Sequence, residues 1–445
     1  MSKNKSKFDL PKVAFFAAIA LMIFFAGGEF AQRNWHPWKF YTNTYKNAKQ
    51  LILQSIATRP TIMEEIKYKG DGVVRYDAKK AFDGYTLVQG WFSEGTDMRL
   101  LDMKGNIVHQ WPVSFSKLWP DPKHLPEGKI PKTRFNLDIH GMWLHADGSI
   151  VFNFSELGTV KLDKCGKVIW KLNRRTHHSI TMNPDGSMWI PALAHPDNID
   201  DKLIMFGLTK QELRLRETYE DRILLVDAHG KIKKEFSLLK ILIDAGLEDQ
   251  LYDVGKIVKI DPTHLNDIDV VTSALANKLA GVNEGDLLVS IRQMHMLAIL
   301  DKDDGHLKWH KSGPWVRQHD PDITAAGNIE VFNNRRDYFL LSKASGHLPG
   351  SNIVSLDPVK NKVSIIYPQT GQETFYTEIQ GVHQLLPNGN RLILESKAGR
   401  VFEIDDKGTI VWEYIKPYDD KYAGWFGHAI RYDKNYFSVK DWACH

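Results

Sequence analysis

The chain has 445 residues, 43% apolar and 11% aromatic, with 58 Lys and Arg against 54 Asp and Glu for a formal net charge of +4. That balance fits a globular domain plus an anchor, and the lack of a basic run with interleaved aromatics excludes nucleic acid as an expected partner. Cys165 and Cys444 lack zinc-site spacing, and a disulfide between them stays open for an oxidising compartment.

The N-terminus carries Lys3, Lys5, Lys7 and Lys12 and then an uncharged stretch from Val13 to Gly28. Its length lies near the roughly 20 residues that cross a bilayer, so it reads as a signal anchor or a cleaved signal peptide. The anchor is favoured because no small-x-small cleavage site ends the apolar run and Trp35, Trp38, Lys39, Phe40 and Tyr41 form an interfacial belt beyond it. The expected organisation is a cytoplasmic basic tail (1–12), a transmembrane signal anchor (13–30), a juxtamembrane helical segment (31–72) and one large domain (73–445). The lysines place that domain on the exoplasmic, periplasmic side of a single-pass membrane protein.

From residue 140 onward the chain repeats itself. His140, His178, His264, His319, His383 and His428 each open a short apolar strand, and four of those strands run into a Gly turn and a second apolar run. A third strand then ends at an Asp before a Gly turn, as at Asp163, Asp301 and Asp405, and a fourth often ends in Trp, as at Trp170, Trp309 and Trp412. Four strands repeated at a period of roughly 40 to 60 residues are the signature of a β-propeller. The unit opened by His428 is cut short, and its outer strands are supplied by Tyr85–Gly90, Met98–Asp102 and Gly105–Trp111 near the other end. The expected fold class is therefore all-β, a closed six-bladed propeller with an N-terminal transmembrane helix and short helical insertions. The insertions are 195–222 and 236–258, read as a partial lid or as braces between blades.

If every blade starts near the central axis, the six imidazoles converge on one channel. Even offsets to the turn glycines put His140, His178, His319 and His383 on one strand face, whereas His177 falls at an odd offset and should pack within its blade.

Four further stretches carry a resemblance: Thr176-His-His-Ser-Ile180, Thr263-His-Leu-Asn-Asp-Ile268, Val289-Ser-Ile-Arg-Gln293, and Gln318-His-Asp320 running on to Gly327-Asn-Ile-Glu-Val-Phe-Asn-Asn334. Together, over roughly 140–412, they resemble the bacterial arylsulfate sulfotransferases and the broader arylsulfotransferase-like group of six-bladed propellers. The resemblance implies transfer of a sulfuryl group from an aryl sulfate donor to a phenolic or other hydroxyl acceptor, through a sulfohistidine and without a nucleotide donor, cofactor or metal. It places the nucleophile at His319, the sulfuryl-binding residues at His264, Asn266 and Arg292, and a further histidine at His178 or His177. Strand parity selects His178. His140, His383 and His428 are expected to bind substrate. The anchor, the insertions and the long gap from Thr272 to Gly285 depart from the family and leave the acceptor open.

Chemistry supports the same set. Sulfuryl transfer needs a nucleophile, neutralisation of the sulfate oxygens and a proton for the leaving phenoxide. Neutral imidazole, a bidentate Arg292, an Asn266 donor and a second histidine as acid fill those roles. Two alternatives stand beside this reading: a non-catalytic ligand-binding or scaffold propeller on a membrane stem, and a metal-binding propeller enzyme. The second is disfavoured because no carboxylate is seen to recur beside the histidines at ligand spacing and because Arg292 repels cations.

Overall fold

The computed structural model describes residues 10–33, 59–60, 62–126, 129–131, 133, 135, 137–216, 218–258, 260–335 and 349–444. The chain divides into two compact units, 1–59 and 60–445. In the first, Leu10–Gln32 is a helix, and within its stretch Pro11–Ala31 an 18-residue window has a mean hydropathy of 2.1 with no part buried. Length and composition suffice to cross a membrane. Most of the expected juxtamembrane helical segment (31–72) lies outside the described residues. Residues 31–32 of it end the helix Leu10–Gln32, whereas residues 62–71 are not helical: they run beside residues 421–423, with Ile66 N–H donating to Lys421 O and Ala423 N–H to Glu64 O, each at 3.0 Å.

The second unit is a six-bladed β-propeller. Blade 1 comprises Ile139–Leu144, Ile150–Phe154, Gly158–Leu162 and Val168–Leu172. Blade 2 comprises Thr181–Met182, Met188–Leu193, Asp221–Val226 and Ile232–Ser237. Blade 3 comprises Leu265–Val270, Leu287–Ile291, Met296–Leu300 and Leu307–Ser312, and blade 4 His319–Ile323, Ile329–Asn333, Asn352–Asp357 and Lys362–Tyr367. Blade 5 runs from His383–Leu385 through Arg391–Glu395 and Arg400–Ile404 to Ile410–Ile415.

Blade 6 closes the ring from both ends of the chain. Trp425–Asp433 pairs antiparallel with Gly84–Phe92, with Gln89 opposite His428, and Gly95–Leu101 and Ile107–Pro112 complete the sheet. A second closure was not visible in the sequence. Gly72–Tyr76 adds a fifth strand to blade 5 beside Ile410–Ile415, so the N-terminal stretch is stitched into two blades.

The Asp-Gly turns work as expected. In the turns at Asp102, Asp163, Asp227 and Asp405, the Asp carbonyl accepts the glycine N–H three residues on while its side chain accepts two further N–H groups. Among the described residues six apolar clusters form, one in each interface between neighbouring blades. Tryptophans on fourth strands tie blades together: Trp170 Nε1 donates to Ala228 O in blade 2 at 3.0 Å, and Trp412 Nε1 to Met103 O in blade 6 at 2.9 Å.

The insertions form Lys210–Arg216, Leu238–Asp244 and Glu248–Ile257 as helices, with two short 3-10 turns before them. Leu213, Leu238, Leu239, Leu242 and Leu251 are buried in the cluster between blades 2 and 3. These helices therefore brace that interface, and none of their described residues lines the channel cavity. Cys165 and Cys444 are disulfide-bonded with a Cα separation of 5.5 Å, fastening the C-terminal tail to a turn of blade 1.

Candidate active site

The innermost strands bring their first side chains to one central channel, and the backbone there is irregular. Register shifts fall between Ile139 and Met142, between Leu265 and Asp267, and between His319 and Pro321. Bulges of this kind re-aim side chains next to functional sites. His178 and His264 both have φ of 52° and Asp320 has 51°, left-handed values that cost a non-glycine residue about 1–3 kcal/mol unless its surroundings impose them.

Four of the predicted imidazoles, His140, His178, His319 and His428, line a cavity of about 350 Å³ with Asn266. His178 sits at their centre: its ring centroid is 4.5 Å from that of His140, 5.2 Å from His264 and 6.4 Å from His319. His264 faces a smaller neighbouring cavity of about 50 Å³ that His178 also lines. His178 reaches the channel by a left-handed kink and not by strand parity, because residues 177–180 lie outside regular strand. His177 is turned aside, with its Nε2 3.2 Å from Asp221 Oδ1.

His383 departs from the ring. Its side chain is fully buried and lines neither cavity, because Asp320 Oδ2 accepts both its backbone N–H and its Nδ1–H, the latter at 2.7 Å. A direct substrate contact expected of His383 is not what this arrangement provides.

The partner of His319 lies 15 residues further along the chain. His319 Nδ1 lies 2.7 Å from Asn334 Oδ1, and Asn334 is itself locked by donating through Nδ2 to Thr377 O and Gln380 O. An amide oxygen accepts only, so Nδ1 carries the proton and Nε2 presents a lone pair. Burial first, and then the Arg292 guanidinium, hold His319 well below the usual imidazole range. Burial and the surrounding imidazoles do the same to His178, and burial with His140 pushes His428 down to about 4.

His140 is the opposite case. Burial lowers it, but Asp138, whose Oδ2 is 2.6 Å from His140 Nε2, outweighs that and raises it above the usual value. His264 Nδ1 is likewise 2.6 Å from Asp261 Oδ2, which Gln293 Nε2 also approaches at 3.2 Å. Asp138 and Asp261 stand two and three residues before their histidines, a spacing that could have flagged them.

Asn266 donates through Nδ2 to Gln318 O at 2.6 Å, and its Oδ1 is buried with no hydrogen-bond partner. Arg292 begins a tight turn after the second strand of blade 3, is 6% exposed, and its backbone N–H bonds His264 O at 3.1 Å. That bond holds the arginine beside the imidazole cluster.

One side of the cavity is acidic. Asp267, Asp269, Asp320 and Asp322 line it, three and five residues after His264 and one and three after His319. Carboxylates thus do recur beside these histidines, contrary to the expectation. Desolvation in the channel, and for Asp267 and Asp322 the neighbouring Asp320, raise all four above the usual range, Asp269 to about 6.

Among solved structures, a protein of unknown function from Bacteroides caccae is similar at 14% identity and TM-score 0.47, covering 77% of this chain and 97% of its own. A streptogramin B lyase matches at 12% identity and TM-score 0.41, with 83% and 97% covered. Kuenenia stuttgartiensis hydrazine synthase matches at 10% identity and TM-score 0.41, with 69% and 70% covered. All three scores lie below 0.5, so these neighbours say nothing about activity. No curated protein matches the chain. The family model for arylsulfotransferase (ASST), in contrast, matches residues 141–417, more than half the sequence and every blade from the first to the fifth. The chain belongs to the arylsulfotransferase (ASST) family.

Proposed function

We propose that this propeller transfers a sulfuryl group from an aryl sulfate to a phenolic or other hydroxyl acceptor through a sulfohistidine on His319. The observation that carries the reading is the Asn334 bond to His319 Nδ1, which fixes the tautomer whose Nε2 can attack. In the first half-reaction a bond forms from Nε2 to sulfur while the bond from sulfur to the aryl oxygen breaks, and the electron pair leaves on the phenoxide. His140 supplies that oxygen's proton: Asp138 sustains its imidazolium, and its Nδ1 is free of hydrogen bonds. Arg292, His264 and Asn266 contact the sulfate oxygens, where fixed donors gain most as charge develops. In the second half-reaction an acceptor hydroxyl attacks sulfur, its proton returns to His140, and the bond from sulfur to Nε2 breaks.

The helix at Leu10–Gln32 is read as a single membrane anchor with the propeller on the exoplasmic side, which the Cys165–Cys444 disulfide favours because such bonds persist in oxidising compartments. Double-reciprocal kinetics with varied donor and acceptor test the reaction. Parallel lines, a phenol burst in the absence of acceptor, and loss of both in His319→Ala are expected. Intersecting lines with activity retained in His319→Ala would exclude a covalent His319.

A further inference from the structure

We propose that a borderline divalent metal cation such as Zn²⁺ or Mn²⁺ binds beside the carboxylate side of the channel, held by His383 and Asp322 with Asp320 orienting the imidazole. Ligand atoms of these three side chains lie within 4.8 Å of one another. His383 supplies the independent sign of a ligand. Its Nδ1–H is committed to Asp320 Oδ2, so Nε2 holds the lone pair, and this fully buried atom has no hydrogen-bond partner. Nε2 looks toward Asp322 Oδ2 and Glu330 Oε2, each 3.9 Å away. A lone pair facing carboxylate oxygens beyond hydrogen-bond range is an arrangement of acceptors with no donor between them, which a cation resolves.

The surrounding charge agrees. Four carboxylates and no Lys or Arg occur among the described residues lining the cavity. Glu330 is already neutralised by a bidentate Arg391 at 2.6 and 2.8 Å, which leaves Asp322 as the carboxylate open to the ion, its side chain 42% exposed toward the cavity. Asp320 then plays the orienting part that carboxylates commonly take behind a metal-bound imidazole. One imidazole with carboxylates favours first-row divalent ions over Mg²⁺ and Ca²⁺. A second grouping, Asp301, Asp304 and His306, is exposed and occupied by its own pairs, with Lys308 2.8 Å from Asp301 and His306 2.6 Å from Asp304.

The test is calorimetric titration of chelator-stripped full-length protein in detergent with Zn²⁺, Mn²⁺, Mg²⁺ and Ca²⁺, none of which requires sulfuryl transfer to be read. One Zn²⁺ or Mn²⁺ per chain is expected, weakened at least tenfold in Asp322→Asn and unchanged in His306→Ala. Co²⁺ added to the unaltered protein should give visible bands of nitrogen and oxygen coordination, which keeps the test valid if Asp322→Asn folds poorly. No stoichiometric binding, no Co²⁺ bands, or binding lost in His306→Ala instead would overturn the proposal.

Discussion

At the residue scale, the imidazoles are separated by their neighbours. His319 meets an amide oxygen and is held below the usual imidazole range, whereas His140 meets a carboxylate and is raised above it. Because the His319 pKa is depressed, its nucleophilic form persists below the ordinary imidazole value of about 6.5, and the acid limb of donor cleavage should lie below that pH. Asn334→Asp replaces the neutral acceptor with a charge that favours imidazolium, so the acid limb should move up by about one pH unit or more. It also costs about 1–3 kcal/mol through the two carbonyls left without their amide donor. A pH profile of the phenol burst reads the first effect and a thermal melt the second; an unmoved acid limb would mean that Asn334 does not set the His319 proton.

At the element scale, the sequence carried the strands and turns because alternation and Asp-Gly turns are local signals. It did not carry Gly72–Tyr76, whose five residues acquire strand character only from a partner more than 300 positions away. Nor did it show which way side chains point at the channel, because bulges at Leu265/Asp267 and His319/Pro321 override the two-residue alternation. That is why four channel carboxylates went unread and why His383 was expected in a ring from which Asp320 withdraws it. The tail after Asp433 is held by the disulfide and by Trp442 against His109 and Trp111, with centroids 5.1 and 6.0 Å apart. Since Cys165 and Cys444 are 279 positions apart, opening that link frees a long loop in the unfolded chain. Cys444→Ser should lower stability by about 2–4 kcal/mol in a denaturant melt without changing the phenol burst. A melt indistinguishable from the parent would show the link to be stabilising nothing.

At the scale of the whole molecule, the ring is one cooperative body because each blade buries its faces against two neighbours. Deleting the residues after Tyr422 removes Trp425–Asp433 and exposes Gly84–Phe92 as an edge, so the entire propeller should lose its cooperative melt. Retention of that melt would show the closure to be dispensable. The apolar Pro11–Ala31 should hold the full-length chain in membranes through alkaline extraction, whereas recovery of a shortened mature chain in the soluble exoplasmic fraction would identify a cleaved signal.

The claim on which the rest depends is that His319 carries the sulfuryl group. Intact-mass analysis of the protein after brief exposure to an aryl sulfate at mildly alkaline pH, followed by peptide mapping, addresses it directly. One added sulfuryl group on the peptide containing His319, discharged by a phenol and absent from His319→Ala, is the expected result. An adduct on another histidine, or transfer undiminished in His319→Ala, would contradict it.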